Sequence, residues 1–346
     1  MNMRALLLFL AIFGKHTMTQ SIDRIKEQRF EGDSCSLKSG GTGICRKASQ
    51  CRESIRANEL HCEFAGNEPV ICCSLAPNAT FDSSARIVEN ACSTVRKVEI
   101  KIKIADHAVG VVEEALVGEF PFMGLIHYDD NLTRCGAALI SDRFLLTAAH
   151  CFKNSKPTTV SLGTNQADDP MADNFPIAKI HRHLGYNRTT KQNDIALVEL
   201  RSSVTMNSQI QAICLHTSSI DLLESVNLTL MGWGRNNTDK LPNSLLKGAV
   251  NPVLRSSCQA RFTTGGHSIK LTEKQLCALG EKNEEGIATD ACEGDSGGPL
   301  VLRQNNKYYL VGVVSTGSGC GDENYAGVYT RVASYLDWII ARAWKN

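Results

Sequence analysis

The 346-residue sequence lacks a second long apolar run, an excess of charge and any zinc-type cysteine pair, and each absence excludes a class of protein. Beyond residues 5–13, no apolar stretch approaches the roughly 20 residues that span a bilayer, so no membrane partner is expected. Lys and Arg total 37 against 36 Asp and Glu, which excludes global attraction to nucleic acid. No CxxC pair with zinc spacing occurs, and neither a metal nor an organic cofactor is predicted.

The N-terminal residues favour export from the cell. The cationic start MNMR and the short apolar run ALLLFLAIF are typical of a secretory signal peptide, which we place at residues 1–20 with its cleavage point open. A buried N-terminal helix is the alternative. Fourteen cysteines, an even number, then predict disulfides, because the export route is oxidising. The extracellular location also fits five candidate glycosylation sites, which are Asn78, Asn131, Asn187, Asn227 and Asn236.

Six of the cysteines lie close together in residues 35–73. So short a segment cannot rely on a hydrophobic core and must be held by cross-links. We therefore predict a small disulfide module, for which the spacing alone allows 15 pairings.

The composition changes twice after this module. Residues 74–107 are polar and charged and are predicted to be a linker or pro-region, although the alternation in VRKVEIKIKI also allows a short strand. Residues 108–346 contain short apolar runs separated by turn residues, which predicts an all-β barrel or sandwich. The final stretch, VASYLDWIIARAW, has helical spacing and predicts a C-terminal helix.

Three motifs in residues 108–346 supply the parts of a nucleophilic site. His150 lies in LLTAAHC, Asp194 in NDIALVEL and Ser296 in CEGDSGGPL. A serine hydroxyl is a poor nucleophile unless a base takes its proton and a third group orients that base. Each motif alone also fits a core residue, a turn or a flexible loop. Their joint occurrence in the order His, Asp, Ser predicts a catalytic triad.

On these motifs, the chain from Gly118 to Asn346 resembles the chymotrypsin family of proteases. The cysteine module, with GTGICRKASQC and PVICC, resembles the clip domain of arthropod haemolymph proteases. The resemblance implies an all-β, chymotrypsin-like double β-barrel with a C-terminal helix, preceded by a small disulfide-rich clip domain. For the clip domain it implies the pairs Cys35–Cys72, Cys45–Cys62 and Cys51–Cys73. For the protease domain it implies Cys92–Cys214, Cys135–Cys151, Cys258–Cys277 and Cys292–Cys320.

The resemblance also implies a specificity pocket and an oxyanion hole. Asp290 matches the pocket floor, with Ser315, Gly317 and Gly327 around it, which predicts cleavage after Arg or Lys. The alternative is a surface aspartate. The oxyanion hole would be formed by the N–H groups of Gly294 and Ser296. The sequence departs from the family at Thr316, where most relatives have an aromatic residue.

Activation in this family requires a cut that frees a new N-terminus, whose ammonium group pairs with the residue that matches Asp295 here. Arg86 is followed by Ile87 and Val88 but lies over thirty residues before Pro121, whereas relatives have about twelve. The segment HAVGVVEEALVGEFP is the better match. We predict a cut after His107, which makes Ala108 the new terminus, and the alternative cut after Ala108 frees Val109. The missing Arg or Lys implies an activator that is not trypsin-like, as in the C subfamily of clip proteases.

The leading hypothesis for function is a secreted haemolymph protease in an extracellular cascade of innate immunity, with Toll or prophenoloxidase activation, or of development. Its partners would be protein substrates (downstream zymogens or a cytokine precursor), an upstream activating protease and a serpin-type inhibitor. Two alternatives remain. A non-catalytic homologue would act as a binding cofactor, and a digestive trypsin would have no use for the cysteine module.

Overall fold

The structure is a computed structural model that describes most of the chain beyond residue 33. The described residues are 34–36, 42–47, 61–65, 68–74, 83–95, 112–130, 133–153, 155–235, 241–266, 269–282, 288–318, 320–322 and 324–344. The chain divides into two compact units, Met1–Thr80 and Phe81–Asn346. No helix within the described ranges has both the length and the apolar character that crossing a membrane requires.

The N-terminal unit contains a four-stranded antiparallel sheet. Its strands are β1 (Ser34–Ser36), β2 (Thr42–Lys47), β3 (His61–Ala65) and β4 (Glu68–Ser74), in the order β1-β2-β4-β3. The central pair aligns Cys45 with Cys72. Cys72 is fully buried and disulfide-bonded. The three cysteine pairings that the resemblance implies for this unit involve side chains outside the described set, and Cys51 lies outside it altogether.

In the second unit, the first barrel is a closed ring of six antiparallel strands. They are β6 (Met123–Tyr128), β7 (Cys135–Leu139), β8 (Phe144–Thr147), β9 (Pro157–Leu162), β10 (Asp173–Arg182) and β11 (Ala196–Leu200), in the order β10-β11-β8-β7-β6-β9. A short 3-10 helix, Ala149–Phe152, follows β8. The turn residues between the apolar runs therefore separate strands, as the sequence predicts.

The second barrel also has six strands and carries two short additions. Its strands are β13 (Leu228–Gly232), β14 (Leu246–Val253), β15 (Gln275–Leu279), β16 (Pro299–Gln304), β17 (Lys307–Thr316) and β18 (Gly327–Arg331), and β17 pairs with β18 to close the ring. Strand β5 (Glu113–Glu114) pairs with β14, and β12 (Cys214–Leu215) pairs with β17. Two barrels of this kind confirm the predicted double-barrel fold.

Three α-helices accompany the barrels in the described part of this unit. They are α1 (Ser83–Thr94), α2 (Arg255–Thr264) and α3 (Leu336–Ala343). Helix α3 buries Leu336, Ile339 and Ile340, which confirms the predicted C-terminal helix. Helix α1 lies inside the stretch whose polar composition indicated a linker, and no signal in that stretch predicted a helix.

The two barrels meet where β7 packs against the loop that carries Ser296. All five residues of β7 are buried, because this strand contributes to the first barrel and to its contact with the second. A β-carbon at Gly136 would lie only 2.8 Å from Cα of Gly298, so this close contact of two backbones requires glycine. The largest apolar cluster joins the first barrel, part of the second and α3, and includes Leu146, Trp233 and Val313. A separate cluster in the second barrel includes Leu230, Val250 and Leu300.

Candidate active site

The candidate triad histidine and aspartate lie on neighbouring strand connections of the first barrel. His150 is in the 3-10 helix after β8, and Asp194 precedes β11, which pairs with β8. His150 Nδ1 and Asp194 Oδ2 are 2.7 Å apart, and the His150 backbone N–H donates to Asp194 Oδ1 at 2.8 Å. The aspartate therefore fixes both the ring and the backbone of the histidine.

Asp194 is completely buried, so its charge requires several hydrogen-bond donors. Besides the two groups of His150, Ser315 Oγ donates to Oδ2 at 2.7 Å. The sequence analysis assigned Ser315 to the specificity pocket, and the structure shows a contact with Asp194 that was not predicted. The sequence around Ser315 could not predict this contact, because Ser315 and Asp194 are 121 residues apart.

The loop before Asp194 is held by its own side chains. Asn193 has a left-handed backbone with φ 54°, which asparagine tolerates better than most residues. Its side chain donates to Gly185 O at 2.9 Å and accepts from Tyr335 Oη at 3.0 Å. These contacts fix the chain direction into Asp194 and were not predicted from the NDIAL motif.

Ser296 lies on a tight loop before β16, and its side chain is only partly exposed. Its carbonyl oxygen accepts from the Gly136 N–H at 2.9 Å and lies 3.7 Å from Cys151 Sγ. Since Cys151 follows His150, this contact brings the serine loop to the histidine. The structure thus collects all three predicted triad residues at the junction of the two barrels.

Gly294 has the backbone that an oxyanion hole requires. Its φ is +101°, and a β-carbon there would lie 2.9 Å from Cα of Gly234. Both the conformation and the space exclude a side chain. The N–H groups of Gly294 and Ser296 make no hydrogen bond to any described residue, so both are free to donate to a substrate oxygen.

Asp290 is half-buried and lies beside Gly327, one of the glycines that the resemblance implies for the specificity pocket. Burial, opposed by the hydrogen bond from the Ala291 N–H at 2.7 Å, raises the pKa of Asp290 to about 7. A β-carbon at Gly327 would lie 2.6 Å from Asp290 Oδ1, so glycine keeps the space beside the carboxylate open. Gly317 is exposed at the end of β17, next to Thr316.

The sequence analysis missed Tyr329, which lies on β18 beyond Gly327. Its hydroxyl is 3.0 Å from the position of a β-carbon at Gly327, and it is buried without a hydrogen-bond partner among the described residues. A second buried polar group therefore lies near the Asp290 carboxylate. The AGVYT motif predicts a role only for its glycine, because the sequence does not indicate which way the tyrosine side chain points.

Asp295 occupies a fully buried cradle of glycines. Its carboxylate accepts from the Gly234 N–H at 2.8 Å and the Cys292 N–H at 2.9 Å, and burial raises its pKa to about 6. A β-carbon at Gly232 or Gly234 would collide with this carboxylate. Neither glycine was predicted to matter. Within the described residues, no cationic side chain pairs with Asp295.

Four disulfides join described cysteines of the second unit, and they are the four pairs that the resemblance implies. They are Cys92–Cys214, Cys135–Cys151, Cys258–Cys277 and Cys292–Cys320. Cys135, His150 and Cys151 offer ligand atoms within 4.8 Å of one another. The two cysteines are bonded to each other, however, and a disulfide supplies no thiolate for a metal.

The remaining predicted sites are only partly within the described residues. Asn187 and Asn227 are exposed, as glycosylation would require. Asn78, Asn131 and Asn236 lie outside the described residues, as do the proposed activation residues His107, Ala108 and Val109.

Comparison with known proteins assigns the chain to a family. A family model described as Trypsin matches residues 109–339. The CLIP domain-containing serine protease C9 of Anopheles gambiae is 34% identical over 329 residues, covering 90% of this chain and 85% of that protein. The CLIP domain-containing serine protease HP8 of Bombyx mori is 35% identical over 316 residues (82% and 83%), and Melanization protease 1 of Drosophila melanogaster is 35% identical over 268 residues (68% and 65%). The chain therefore belongs to the trypsin family of serine proteases and is homologous to its insect clip-domain members.

Proposed function

We propose that this protein is a secreted trypsin-like serine endopeptidase zymogen that cleaves after Arg or Lys. The observation that carries the proposal is the buried carboxylate of Asp194, which binds the ring and the backbone of His150 next to the Ser296 loop. A buried charge with this set of donors has a clear role in orienting a catalytic base.

The proposed reaction is acyl transfer. Ser296 Oγ attacks the scissile carbonyl carbon while His150 accepts its proton, and His150 then returns the proton to the leaving amine. Asp194 holds the imidazole in the required tautomer. The free N–H groups of Gly294 and Ser296 stabilise the oxyanion, a contribution of about 2.7–4 kcal/mol for one donor in comparable sites. Water then releases the acyl group by the same route.

The proposed preference for Arg and Lys is supported by the environment of Asp290. Its carboxylate is desolvated without a cationic partner among the described residues, which raises its pKa to about 7. A guanidinium or ammonium group that enters the pocket would compensate for this desolvation. A neutral side chain of the same length would leave the charge unpaired.

The proposed activation uses Asp295 as the acceptor of a new N-terminal ammonium group. Its buried carboxylate already accepts two N–H groups, and one charged donor would complete its hydrogen bonding. Arg86 is a poor activation site, since it lies within α1 and is followed closely by Val88, which is 1% exposed. We therefore keep the cut after His107, or after Ala108, by an activator that is not trypsin-like, and the assignment to the C subfamily.

N-terminal sequencing of the active two-chain form tests this activation step. A catalytic chain that begins at Ala108 or Val109 is the expected result. A chain that begins at Ile87 would contradict it.

The proposed setting is an extracellular cascade in haemolymph, either in innate immunity, through Toll or prophenoloxidase activation, or in development. It is supported by relatives whose names include Melanization protease 1 and Phenoloxidase-activating factor 1. The substrates would be downstream zymogens or a cytokine precursor. An upstream protease would activate the chain, and a serpin-type inhibitor would stop it.

Labelling with a serine-directed phosphonate tests the enzymatic assignment directly. The activated protein should incorporate one label per chain and should cut candidate zymogens after Arg or Lys. The Ser203→Ala variant, which changes an exposed serine on the first barrel, is the matched control and should label normally. An activated protein that takes no label would instead be a non-catalytic binding cofactor.

A further inference from the structure

Four cationic residues lie on the chain segments that flank the His150–Asp194 pair. Lys153 follows the 3-10 helix of His150, Arg182 ends β10, and Arg188 and Lys191 lie in the loop that leads to Asp194. Arg182 Nη1 donates to Phe152 O at 3.4 Å, which ties β10 to the histidine helix. We call this set, Lys153, Arg182, Arg188 and Lys191, the cationic rim.

Lys153 lies close enough to Arg188 and Lys191 for their charges to act on it. Partial desolvation, followed by the positive charges of Arg188 and Lys191, lowers the pKa of Lys153. The negative charge of Asp194 acts on Lys153 in the opposite direction. Lys153, Arg188 and Lys191 therefore form one electrostatic neighbourhood near the candidate triad, and the hydrogen bond of Arg182 to Phe152 O connects the fourth member to it.

No carboxylate of the described residues forms an ion pair with any member of the rim. Asp194, whose charge acts on Lys153, is buried and shared by His150 and Ser315. Two other cations of the first barrel are paired, since Arg143 contacts Glu199 at 3.3 Å and Arg134 contacts Asp168 at 3.5 Å. The four charges of the rim, in contrast, are not neutralised by an ion pair with any described carboxylate.

The loop that carries Arg188 and Lys191 has a fixed shape. Asn187 Oδ1 accepts from the N–H groups of Thr189 and Thr190 at 2.9 and 3.0 Å, and the Asn187 N–H donates to Gln192 O at 3.0 Å. Charges on a fixed loop meet a ligand at a lower entropic cost than charges on a mobile one.

Thr316 adds a second reason for a polar substrate. It is half-buried at the end of β17, directly after the serine that contacts Asp194. An aromatic residue here would offer an apolar surface to the substrate residues before the cleaved bond. Threonine offers little apolar surface, so charge contributes more to the recognition of the substrate residues before the cleaved bond.

We infer that the cationic rim selects substrates with Asp or Glu among the few residues before the cleaved Arg or Lys. This inference rests on the proposed function and specifies its substrate class. Acidic side chains at these positions would pass the rim while the basic side chain occupies the pocket of Asp290. The same positive charge would accelerate the approach of acidic substrates, an effect that salt screens.

Two fluorogenic peptides test the inference, both with Gly before Arg and with either two Glu or two Gln residues before that Gly. We expect kcat/KM to be about three- to tenfold higher for the Glu peptide at low salt, since one exposed ion pair contributes a factor of about 1.4–5. The ratio should fall toward one at about 0.5 M NaCl. A ratio near one at low salt would overturn the inference.

Charge-neutral variants identify the source of the effect. The double variant Arg188→Gln, Lys191→Gln should reduce the ratio to nearly one and leave kcat/KM for the Gln peptide within about twofold. Arg201→Gln is the matched control, because Arg201 is exposed beyond the far end of β11, roughly 20 Å along the strand from Asp194. A ratio that the double variant leaves unchanged would overturn the inference.

All enzymes in this test carry Thr189→Ala, which removes the glycosylation sequence at Asn187 and keeps the contacts of Asn187 Oδ1. If both peptides are hydrolysed at equal rates, the inference about the rim is wrong, whereas the proposed function is supported. Hydrolysis of neither peptide counts against the proposed function and against the inference that rests on it.

Discussion

Three hydrogen-bond donors converge on the carboxylate of Asp194. Two belong to His150, and the third is the hydroxyl of Ser315. The hydroxyl of Ser296, in contrast, makes no hydrogen bond to a described residue. Its role would be chemical, whereas the hydroxyl of Ser315 stabilises a buried charge.

Ser296→Ala is therefore expected to abolish peptidase activity without loss of stability. The reason is that the substitution removes the nucleophile and no contact of the fold. Ser315→Ala is the comparison variant, and it should lower kcat by about tenfold, because hydrogen bonds to charged groups contribute about 1.5–3 kcal/mol. Steady-state rates and thermal unfolding of both variants check this. Turnover by Ser296→Ala above a mock preparation would refute the assignment.

Asp290→Ser is expected to lower kcat/KM for Arg peptides by about 100- to 1,000-fold, since it removes the counter-charge of a desolvated cation. In the unsubstituted enzyme, KM for an Arg peptide should fall as pH rises through about 7, where the Asp290 carboxyl loses its proton. The same peptide with uncharged citrulline in place of Arg is the control and should not show this change in KM. Equal pH profiles for the two peptides would place Asp290 outside the pocket.

The same carboxyl also makes stability depend on pH. Its pKa in the folded protein lies above its ordinary value of 3.8, so the folded state binds the proton more tightly than the unfolded state. The resulting loss of stability begins near pH 4 and is complete above about pH 7, with an upper bound of about 4 kcal/mol. Asp290→Ser should therefore be more stable than the unsubstituted protein at pH 8 and equal to it below pH 4.

At the level of elements, β5 connects the start of the protease domain to the second barrel. It pairs with β14, where Lys247 Nζ donates to Glu119 Oε1 at 2.7 Å and lies 3.8 Å from Glu113. Glu119 is 7% exposed and also accepts from the Leu116 N–H. This contact fixes the segment that follows the proposed activation bond.

Lys247→Met should destabilise the protein by about 3 kcal/mol, because it leaves the buried carboxylate of Glu119 without a cation. Activity after cleavage should also appear more slowly, since the new terminus is less well held near Asp295. Chemical denaturation and the time course of activity measure the two effects. Lys179→Met is the control, because Lys179 is an exposed lysine of β10, and its behaviour should match the unsubstituted protein. A similar effect of both substitutions would show that the contact of Lys247 with Glu119 is dispensable.

On the scale of the whole molecule, the bond between Cys92 and Cys214 decides what cleavage releases. Cys92 lies in α1, before the proposed activation bond, and Cys214 lies in β12 of the protease domain. Helix α1 also buries Val88 within the core of the protease unit. A cut after His107 would therefore leave the N-terminal chain attached.

The activated protein should run as one band of full mass without reductant and as two bands after reduction. In the uncut zymogen, where the bond closes a loop within one chain, the double variant Cys92→Ser, Cys214→Ser should lower stability by up to about 4.7 kcal/mol, the chain-entropy value for a loop of about 100 residues. Electrophoresis and thermal unfolding test both outcomes. Two bands without reductant in the unsubstituted protein would show that the chains separate.

Sequence patterns predicted the architecture because strand runs, turn residues and a helical apolar repeat are local signals. The double barrel and α3 are confirmed. Helix α1 was not predicted, because its few apolar residues stand in a stretch of polar composition, although Val88 packs in the core. The clip-domain pairings and the activation bond stay predictions.

The sequence by itself determined the chemistry that is available: His150, Asp194 and Ser296 in their motifs, Asp290 before the nucleophile, and cysteines at the spacings of a known frame. Only the tertiary structure decided how these groups act. The cradle of Asp295 joins residues 61 apart, the contact of Ser315 with Asp194 spans 121, and that of Lys247 with Glu119 spans 128. A sequence motif records which side chains are neighbours along the chain. Burial, charge compensation and the cationic rim arise from neighbours in space, which closure of the two barrels creates.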